Sequence, residues 1–570
     1  MRDNLNDPWM HGPFNIIVER DVEAPMRDGT ILRADVYRPD APGPFPVLVM
    51  RTPYNKAGAN VNALVRAGYI VVVQDIRGRY ASDGEFESFL RPDNHEAEDG
   101  YDTVEWAARL PGSTGKVGTF GGSYCAWLQW KLAALRPPSL VAMFAYSIPA
   151  RYTDLEGPGS IRPGRRLYWW ACSMAPDMRR RAGRPGSYTP EEAREEWKRD
   201  RGKWLWFLPW VDLPAYVLED AAEDFREWLR HPHTDPWQLD KLYSEIEVPN
   251  LHITGWYDHC NPCLDHFTGM VAHGRTELAR KGQKVIIGPW NHGGGFGKRK
   301  IGEVDFGPQA QMDLNAVMVR WFDYWLKGVP NGVDREPAVK LFVMGENRWK
   351  SYDRWPPSSR DLTLFLTSNG EANTPFGDGR LVKEVPPDQK QDRYVYDPRD
   401  PVMSLYGERM FTMPADQRAL AHRRDILVYQ TEPLKEDLEV TGYPKVVLYA
   451  SSSAPDTDFF ARLIDVHPDG RALDICMGVV RARYRESLER PTLLEPGKVT
   501  EFTIRLGPTS NRFKAGHRIR LDITSSDFPN YDRNHNTGLD DNADPRLAVA
   551  HQTVYHGGRY PSRLHLPWIP

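Results

Sequence analysis

The chain has 570 residues, of which 41% are apolar and 26% charged, and this length predicts two or three domains around separate cores. Its 73 basic and 77 acidic residues leave a net charge of −4, which gives no electrostatic case for binding nucleic acid or an anionic membrane. No apolar run approaches the roughly 20 residues that span a bilayer, and five cysteines are too few for a disulfide scaffold.

The N-terminal stretch "MRDNLNDPWMHGPFN" has no basic-then-apolar targeting pattern, and we therefore expect a cytoplasmic protein.

The β-branched runs "FPVLVMRTPY" and "GYIVVVQDIRG" predict strands that are buried on both faces of a parallel sheet. "HEAEDGYDTVEWAARL" predicts a helix, since it begins with acids and carries spaced apolar residues. "KVGTFGGS" and "YCAWLQWKLAALRPP" add another strand and helix. This alternation predicts a doubly wound α/β sheet.

From about residue 146 the pattern becomes helical and rich in Arg and Trp, which predicts an inserted helical cap. Strands return in "VPNLHITGWYD" and "QKVIIGPWNH", followed by the amphipathic helix "DLNAVMVRWFDYWLKGV". After residue 350, short strands between Gly, Pro, Asn and Asp turns predict a jelly-roll β-sandwich. The predicted division is 1–145 and 246–350 for the α/β-hydrolase core, 146–245 for the cap and 351–570 for the sandwich.

Ser123 lies between a glycine pair and Tyr124, at the predicted junction of a strand and a helix. A serine on such a turn is held in a strained geometry that exposes its Oγ at the carboxyl end of the sheet. The following amide, the Tyr124 N–H, then lies at the helix N-terminus and can face a developing oxyanion. The usual pattern is Gly-x-Ser-x-Gly, whereas Cys125 occupies the last position here. A structural Gly-Gly-Ser turn is the alternative.

Two further residues follow strands in the order that a catalytic triad requires. Asp258 ends the strand in "GWYDHC", and His292 ends the next strand in "GPWNHGGG". The chain order Ser, Asp, His is that of the α/β-hydrolases and differs from the orders in chymotrypsin-like and subtilisin-like folds. We therefore expect Ser123 as nucleophile, His292 as base and Asp258 as the residue that orients the imidazole.

Several motifs resemble those of the cocaine-esterase-like (CocE/NonD) hydrolases, relatives of the X-prolyl dipeptidyl-peptidases and α-amino-acid ester hydrolases. The matching stretches span almost the whole chain: "MRDGTILRADVYRP", "RTPYNK", "QDIRGRYASDGEF", "EDGYDTVEWAARLP", "GGSYCAWLQW", "GWYD", "GPWNH" and "YDPRDPV". The resemblance implies an α/β-hydrolase core, an inserted helical cap and a C-terminal jelly roll. It also implies an oxyanion hole formed by the Tyr124 N–H and the Tyr54 hydroxyl, although packing alone is the alternative role for Tyr54.

The substrate side of the site departs from some of these relatives. The amino-acid ester hydrolases carry a carboxylate pair after the triad acid, but His259, Cys260 and Asn261 follow Asp258 here, which disfavours an α-amino acyl substrate. By the same resemblance, Trp170 and Cys260 are expected to line the acyl pocket, with cap packing as the alternative for Trp170. Ala126 replaces a frequent glycine and keeps the turn small.

Eight of the nineteen tryptophans lie between residues 169 and 237, and we expect them to form an aromatic pocket that prefers aromatic or large apolar substrates. Seven arginines between Arg162 and Arg184 accompany a single acid, Asp177. This run predicts a solvated cap face, and a docking site for a substrate carboxylate is the alternative. "HCNPCLDH" offers soft metal ligands, but without a second Cys-x-x-Cys we expect a thiol-lined pocket wall.

These residues predict a serine hydrolase that cleaves carboxylic esters, and also amides in one alternative, through an acyl-enzyme. We expect a small-molecule ester or amide substrate, no cofactor, no metal, and neither nucleic acid nor membrane as partner; a homodimer is left open. One alternative is an X-Pro dipeptidyl-peptidase or an acylase-type amide hydrolase. The other is an inactive carbohydrate-binding or scaffold protein that uses the jelly roll.

Overall fold

The computed structural model describes residues 14–156, 161–200, 202–292, 294–388 and 390–570. Most of the N-terminal stretch for which we expect no targeting signal, residues 1–13, lies outside the described residues. Within the described residues, no helix is long and apolar enough to cross a membrane.

A mixed β-sheet underlies the functional site. Its first group of strands has the order β1-β2-β4-β3-β5-β6, and its second has the order β7-β8-β11-β12, while β9 and β10 form a separate hairpin. The bounds are β1 Ile16–Pro25, β2 Ile31–Pro39, β3 Phe45–Thr52, β4 Ile70–Asp75, β5 Ser113–Gly122, β6 Leu140–Tyr146, β7 Leu251–Tyr257, β8 Lys284–Asn291, β9 Lys300–Ile301, β10 Val304–Asp305, β11 Val339–Val343 and β12 Arg348–Tyr352.

Two backbone hydrogen bonds join these groups into one continuous sheet. Met143 N–H donates to the carbonyl of Pro249 (3.0 Å), and Ser147 N–H donates to the carbonyl of Ile253 (2.8 Å). From β3 to β8, and including β11, the strands run parallel. Their carboxyl ends therefore meet at one edge of the sheet, which is where a doubly wound fold places its ligand.

Helices cover both faces of this sheet, which explains the apolar, β-branched composition of its strands. All six residues of β4 are buried. The covering helices are Asn62–Arg66, Glu96–Ala108, Tyr124–Ala133, Cys263–His273, Glu277–Lys281 and Leu314–Lys327. The predicted α/β fold is confirmed.

A long helical segment connects β6 to β7. Its α-helices are Tyr152–Glu156, Gly164–Trp169, Ala175–Arg181, Pro190–Arg199, Lys203–Trp206, Ala215–Leu218 and Ala222–Arg230. A π-helical turn, Trp170–Met174, interrupts them, and 3₁₀ turns occur at Trp210–Asp212, Glu219–Ala221 and Leu239–Glu245. The helical character of this stretch is as expected, whereas the division at residues 146 and 245 stays a prediction.

A largely antiparallel β-sandwich forms the C-terminal part, as predicted. Its strands are β13 Arg360–Thr367, β14 Arg380–Val382, β15 Asp392–Tyr396, β16 Leu427–Gln430, β17 Leu438–Gly442, β18 Lys445–Ser452, β19 Asp458–Val466, β20 Ala472–Arg481, β21 Thr500–Arg505, β22 Thr509–Phe513, β23 Arg518–Thr524, β24 Ala550–Tyr555 and β25 Arg563–Ile569. The sandwich packs directly on the α/β part: the Tyr257 hydroxyl at the end of β7 donates to the carbonyl of Asp474 (3.1 Å), and the Tyr443 hydroxyl donates to Asp265 in the helix Cys263–His273 (2.5 Å).

Candidate active site

Ser123 stands at the junction between β5 and the helix Tyr124–Ala133. Its backbone (φ 56°, ψ −124°) is in a region that non-glycine residues rarely occupy, at a cost of about 1–3 kcal/mol. Hydrogen bonds hold this conformation: Ser123 N–H donates to the carbonyl of Tyr146 (3.0 Å), and the Ser123 carbonyl accepts from the N–H groups of Ala126 (2.9 Å) and Trp127 (3.0 Å). A strained and well-anchored serine at a strand end is typical of a nucleophile elbow.

The two residues before Ser123 must be glycines, because neighbouring side chains leave no room for a Cβ at either position. A Cβ on Gly121, which has φ 134°, would lie 2.6 Å from the Cβ of Cys125. A Cβ on Gly122 would lie 2.3 Å from Cε2 of Tyr146. Cys125 therefore fits where the usual pattern has a glycine, because the space that its side chain needs is left free by Gly121.

Asp258 follows β7, is 1% exposed, and has both carboxylate oxygens occupied by hydrogen-bond donors. Oδ1 accepts from the Cys260 N–H (2.8 Å), and Oδ2 accepts from the hydroxyls of Ser147 (2.6 Å) and Thr254 (3.2 Å). Burial opposes ionisation of this carboxyl, but the charge and hydrogen bond of His292, together with those donors, outweigh it and hold the pKa of Asp258 below its usual value. The group is therefore a carboxylate at neutral pH.

His292 follows β8, and its Nδ1 lies 2.9 Å from Oδ1 of Asp258. This contact favours the tautomer with the proton on Nδ1, which leaves Nε2 as the basic nitrogen. The side chains of His292 and Ser123 line the same cavity. The structure thus brings together all three side chains that the chain order singled out.

Ser147 is a fourth polar residue in this cluster, and the sequence analysis missed it. It directly follows β6 with φ 56°, and its Oγ donates to Asp258 and lies 3.0 Å from Nδ1 of His292. The rule that ligand sites form at carboxyl ends of parallel strands could have indicated it, because "AYS" ends a strand beside β5.

The cavity that contains Ser123 and His292 has a volume of about 420 Å³. Aromatic side chains dominate its walls, and they come from the loops of the sheet, the helical segment and the sandwich. The aromatic residues are Tyr54, Tyr80, Phe89, Tyr124, Tyr168, Trp169, Trp237 and Phe411. A second cavity, of about 190 Å³, lies between the sheet's loops and the sandwich and shares His259 and Arg165 with the first.

Tyr54 and Tyr124 both line the Ser123 cavity, as the family resemblance implies. Tyr124 is the first residue of its helix, where backbone N–H groups lack intrahelical partners. The Tyr54 hydroxyl accepts a hydrogen bond from Nε1 of Trp169 (3.2 Å), which leaves its own proton available for another acceptor. The residue is 38% exposed, and partial desolvation by the surrounding protein raises the pKa of Tyr54 above its usual range. It is therefore a neutral donor.

Trp170 does not line this cavity, and that prediction is wrong. Trp170 is fully buried, and its neighbour Trp169 lines the cavity instead and bonds to Tyr54. Of the eight tryptophans between residues 169 and 237, only Trp169 and Trp237 are among the described cavity walls. Four others are buried in a hydrophobic core that the helical segment shares with the sheet: Trp197, Trp210, Trp228 and Trp170 itself.

Cys260 is not a wall residue either. It is 1% exposed, belongs to a buried hydrophobic cluster and does not line the Ser123 cavity. Burial and the Asp258 carboxylate raise the pKa of the Cys260 thiol well above its usual range, so that it stays protonated. The expected thiol-lined pocket wall is therefore not formed by this residue.

The ligand atoms of Asp258, His259, Cys260 and His292 lie within 4.8 Å of one another, whereas Cys263 instead contacts Nδ1 of His252 (3.7 Å). Within the described chain, the Cys-x-x-Cys motif does not form one ligand cluster. Burial and the nearby guanidinium of Arg165 hold the pKa of His259 well below its usual range. A cation is disfavoured beside that guanidinium, and the absence of a resident metal stays a prediction.

The arginine run is not a solvated face throughout, contrary to the first expectation. Arg162, Arg165, Arg166 and Arg179 are each between 2% and 8% exposed. Arg179 pairs with Glu219 (2.8 Å). This partner lies forty residues further along the chain, and the sequence of the arginine run does not indicate it. Arg165 and Arg166 line the Ser123 cavity.

The sandwich also contributes to the site, which sequence reasoning did not predict. Phe411 lines the cavity, and its ring lies 5.5 Å from that of His292 and is stacked on that of His259 at 5.8 Å. The two histidine rings are themselves 4.3 Å apart. No local sequence signal marks Phe411, because it lies in an irregular loop more than a hundred residues after His292.

Family models match two long parts of the chain. Residues 28–294 match the X-Pro dipeptidyl-peptidase (S15 family), and residues 331–565 match the X-Pro dipeptidyl-peptidase C-terminal non-catalytic domain. A cocaine esterase of Rhodococcus sp. (strain MB1 Bresler) is 35% identical over 596 aligned residues, covering 97% of this chain and 99% of that protein.

Two solved structures resemble nearly the whole chain. An aminopeptidase from a marine sediment archaeon (Thaumarchaeota archaeon) has a TM-score of 0.82 at 26% identity, covering 98% of this chain and 97% of the other. An α-amino acid ester hydrolase has a TM-score of 0.77 at 24% identity, with the same coverage, and shows the shared fold.

The fold and the arrangement of Ser123, Asp258 and His292 define an α/β-hydrolase of the serine type. The full-length similarity narrows the class further. The chain belongs to the cocaine-esterase-like (CocE/NonD) family and is a serine esterase.

Proposed function

We propose that this esterase cleaves carboxylic esters with Ser123 as nucleophile, His292 as general base and acid, and Asp258 and Ser147 as the groups that orient His292. The observation that carries the assignment is the 2.9 Å contact between Nδ1 of His292 and Oδ1 of Asp258, in a cavity that also contains Ser123. The same geometry recurs in triads on unrelated folds, where it activates an otherwise weak nucleophile.

In the first half of the reaction, the Ser123 hydroxyl attacks the ester carbonyl carbon while Nε2 of His292 takes the hydroxyl proton. The resulting oxyanion is stabilised by the Tyr54 hydroxyl and the Tyr124 N–H. When the carbon–oxygen bond to the alcohol breaks, His292 gives that proton to the leaving alkoxide, and the acyl group stays on Ser123. Water then attacks the acyl-enzyme with the same proton transfers and releases the acid and free Ser123.

The cavity walls favour esters with an aromatic or bulky apolar group. Phe89 lies close to both Trp169 (5.4 Å between ring centroids, stacked) and Trp237 (5.5 Å, edge to face), so that a flat acyl or alcohol group can pack among these rings. An aminopeptidase or dipeptidyl-peptidase activity needs a carboxylate that binds the substrate ammonium. Among the described walls of this cavity the single acid is Glu191, which pairs with Arg194 (3.2 Å).

An active-site titration tests the assignment. A fluorophosphonate probe should label the purified protein at Ser123, as located by peptide mass spectrometry, and should not label Ser123→Ala. Ser173→Ala is the matched control, because Ser173 lines the same cavity without any contact to Asp258 or His292 among the described hydrogen bonds. Labelling of Ser123→Ala at the wild-type rate would assign the nucleophile to another residue.

Rates on p-nitrophenyl esters and on aminoacyl p-nitroanilides, measured side by side, test the substrate class. We expect turnover of the esters to exceed that of the anilides by a large factor, and the reverse order would favour the peptidase alternative.

A cytoplasmic location is part of the proposal: all five cysteines are free, as is usual in a reducing compartment, and cell fractionation would test it.

A further inference from the structure

Three side chains of types that bind metals meet in the C-terminal sandwich. Asp465, His467 and His517 each place one nitrogen or oxygen ligand atom within 4.8 Å of those of the other two. Nδ1 of His517 lies 2.8 Å from Oδ1 of Asp465, and the centroids of the two imidazole rings are 4.4 Å apart. None of the three is among the described walls of either cavity, so the cluster is separate from the esterase site.

The backbone holds all three residues at one end of the sandwich. Asp465 lies in β19, which pairs with β20 on one side and with β23 on the other. His467 begins the turn between β19 and β20, and its N–H donates to the carbonyl of Arg471 in that turn (2.8 Å). His517 lies directly before β23, and its N–H donates to the carbonyl of Lys514 (3.0 Å). The cluster is therefore built on paired strands and hydrogen-bonded turns.

The polar atoms of this cluster have few partners within the described chain. Asp465 is 5% exposed, its contact with His517 is its one described side-chain hydrogen bond, and no Lys or Arg is among its described ion-pair partners. The His467 ring has no described hydrogen bond. Asp469 and Arg471, the charged residues of the adjoining turn, pair with each other (2.7 Å) and are about half exposed. Buried charges in proteins are paired or coordinate metals, and one cation would satisfy the lone pairs of all three side chains.

We propose that Asp465, His467 and His517 bind a zinc ion, which joins the β19–β20 turn to the turn before β23. Two imidazole nitrogens and a carboxylate oxygen are a ligand set that zinc takes, whereas calcium and magnesium prefer oxygen ligands throughout. Bonds of about 2.0–2.2 Å to a tetrahedral ion place its ligand atoms roughly 3.3–3.6 Å apart, so small side-chain rotations suffice here. Three protein ligands leave the fourth position to water. No local motif marks this site, since Asp465 and His517 are 52 residues apart, and it departs from the expectation of no metal.

Zinc binding to the full-length protein, freed of metal with a chelator, tests the proposal. Calorimetric titration at about pH 8, where imidazole is the free base, should show one zinc per chain at this site, and magnesium or calcium should show none. The unfolding temperature should rise with the zinc concentration, because the ion binds the folded chain. Backbone hydrogen exchange should slow in residues 466–471 and 514–518. A zinc ion at the ligand group that includes Asp258 and His292 would instead slow exchange near residues 258–263 and inhibit ester hydrolysis.

His467→Ala assigns the ion to the cluster. This change removes one ligand and breaks no described side-chain hydrogen bond, so the metal-free variant should unfold close to the wild-type temperature. Its zinc affinity should fall at least ten-fold, and zinc should no longer slow exchange in the two turns. The control is His422→Ala, because His422 is an exposed histidine of the same sandwich outside the cluster and should leave the affinity unchanged. Asp465→Asn keeps the size of the side chain and should also weaken zinc binding; if it does not fold, His467→Ala decides alone.

Three results would overturn the inference. They are no zinc uptake by the wild-type chain, an unchanged affinity in His467→Ala, and weak uptake that leaves hydrogen exchange in both turns unaltered, which would mean an adventitious ion only. The esterase assignment is tested separately. Metal-free His467→Ala should hydrolyse p-nitrophenyl esters at the wild-type rate, since none of the three ligands lines the described Ser123 cavity, and absence of labelling at Ser123 would overturn the proposed function alone.

Discussion

Replacement of Ser147 by alanine tests whether the orientation of Asp258 depends on a residue outside the three predicted from chain order. The Ser147 hydroxyl donates to Oδ2 of Asp258 at 2.6 Å, and the other hydroxyl on that oxygen, from Thr254, is longer at 3.2 Å. A hydrogen bond to a charged group contributes about 1.5–3 kcal/mol. Since about 1.4 kcal/mol corresponds to a factor of ten in rate, we expect kcat to fall about ten- to a hundred-fold.

The assay is steady-state hydrolysis of a p-nitrophenyl ester, with the active enzyme counted by fluorophosphonate titration. KM should change little, because Ser147 does not line the cavity in which substrate binds. Thr254→Val removes the longer bond and should cost less than Ser147→Ala. Ser173→Ala, the cavity serine without contact to the triad, should be close to wild type.

A glycine variant separates the hydroxyl from backbone effects. Ser147 has φ 56°, which glycine adopts without strain, so that Ser147→Gly removes the hydroxyl and relieves the backbone at once. We expect Ser147→Gly to be as slow as Ser147→Ala. Recovery of activity in Ser147→Gly, or a kcat for Ser147→Ala within two-fold of wild type, would refute the role given to the hydroxyl.

Four further substitutions probe the surrounding site. Tyr54→Phe should lower kcat about a hundred- to a thousand-fold with little change in KM, and an effect on KM alone would make Tyr54 a binding residue. Gly122→Ala should lower kcat/KM about a hundred-fold, because the new Cβ would lie 2.3 Å from the ring of Tyr146, and wild-type activity would contradict the strict geometry of the turn. Trp169→Ala should weaken aromatic esters relative to acetates by about 1–3 kcal/mol in kcat/KM. Trp170→Ala should lower the melting temperature without changing that ratio, and a changed ratio would return Trp170 to the pocket.

The α/β core and the three positions of the proposed triad could be predicted because they depend on local patterns. Apolar β-branched runs mark buried parallel strands, and the residue that follows each such strand lies at the ligand edge of the sheet. Ser123, Asp258 and His292 each follow a strand in this way. Ser147 does so too, but no familiar motif surrounds it that would mark it as part of a site.

The residues that line the Ser123 cavity could not be predicted from the sequence in the same way. The helix that carries Trp169 continues into a π-helical turn at Trp170–Met174, which shifts the direction of successive side chains away from the ordinary helical period. The sequence could therefore not decide which of two adjacent indoles faces the cavity. Phe411 was missed because its contact with His292 depends on how the sandwich docks, and the burial of Arg179 depends on its partner Glu219, forty residues away.

The walls of the Ser123 cavity extend along the chain from Tyr54 to Phe411. On a ribosome, the serine and its histidine are both synthesised well before the loop that carries Phe411, and the strands that hold the sandwich together follow later still. A nascent chain that ends before the sandwich therefore lacks one wall of the cavity. Full catalytic activity is thus expected to appear late during synthesis, after the strands of the sandwich have paired.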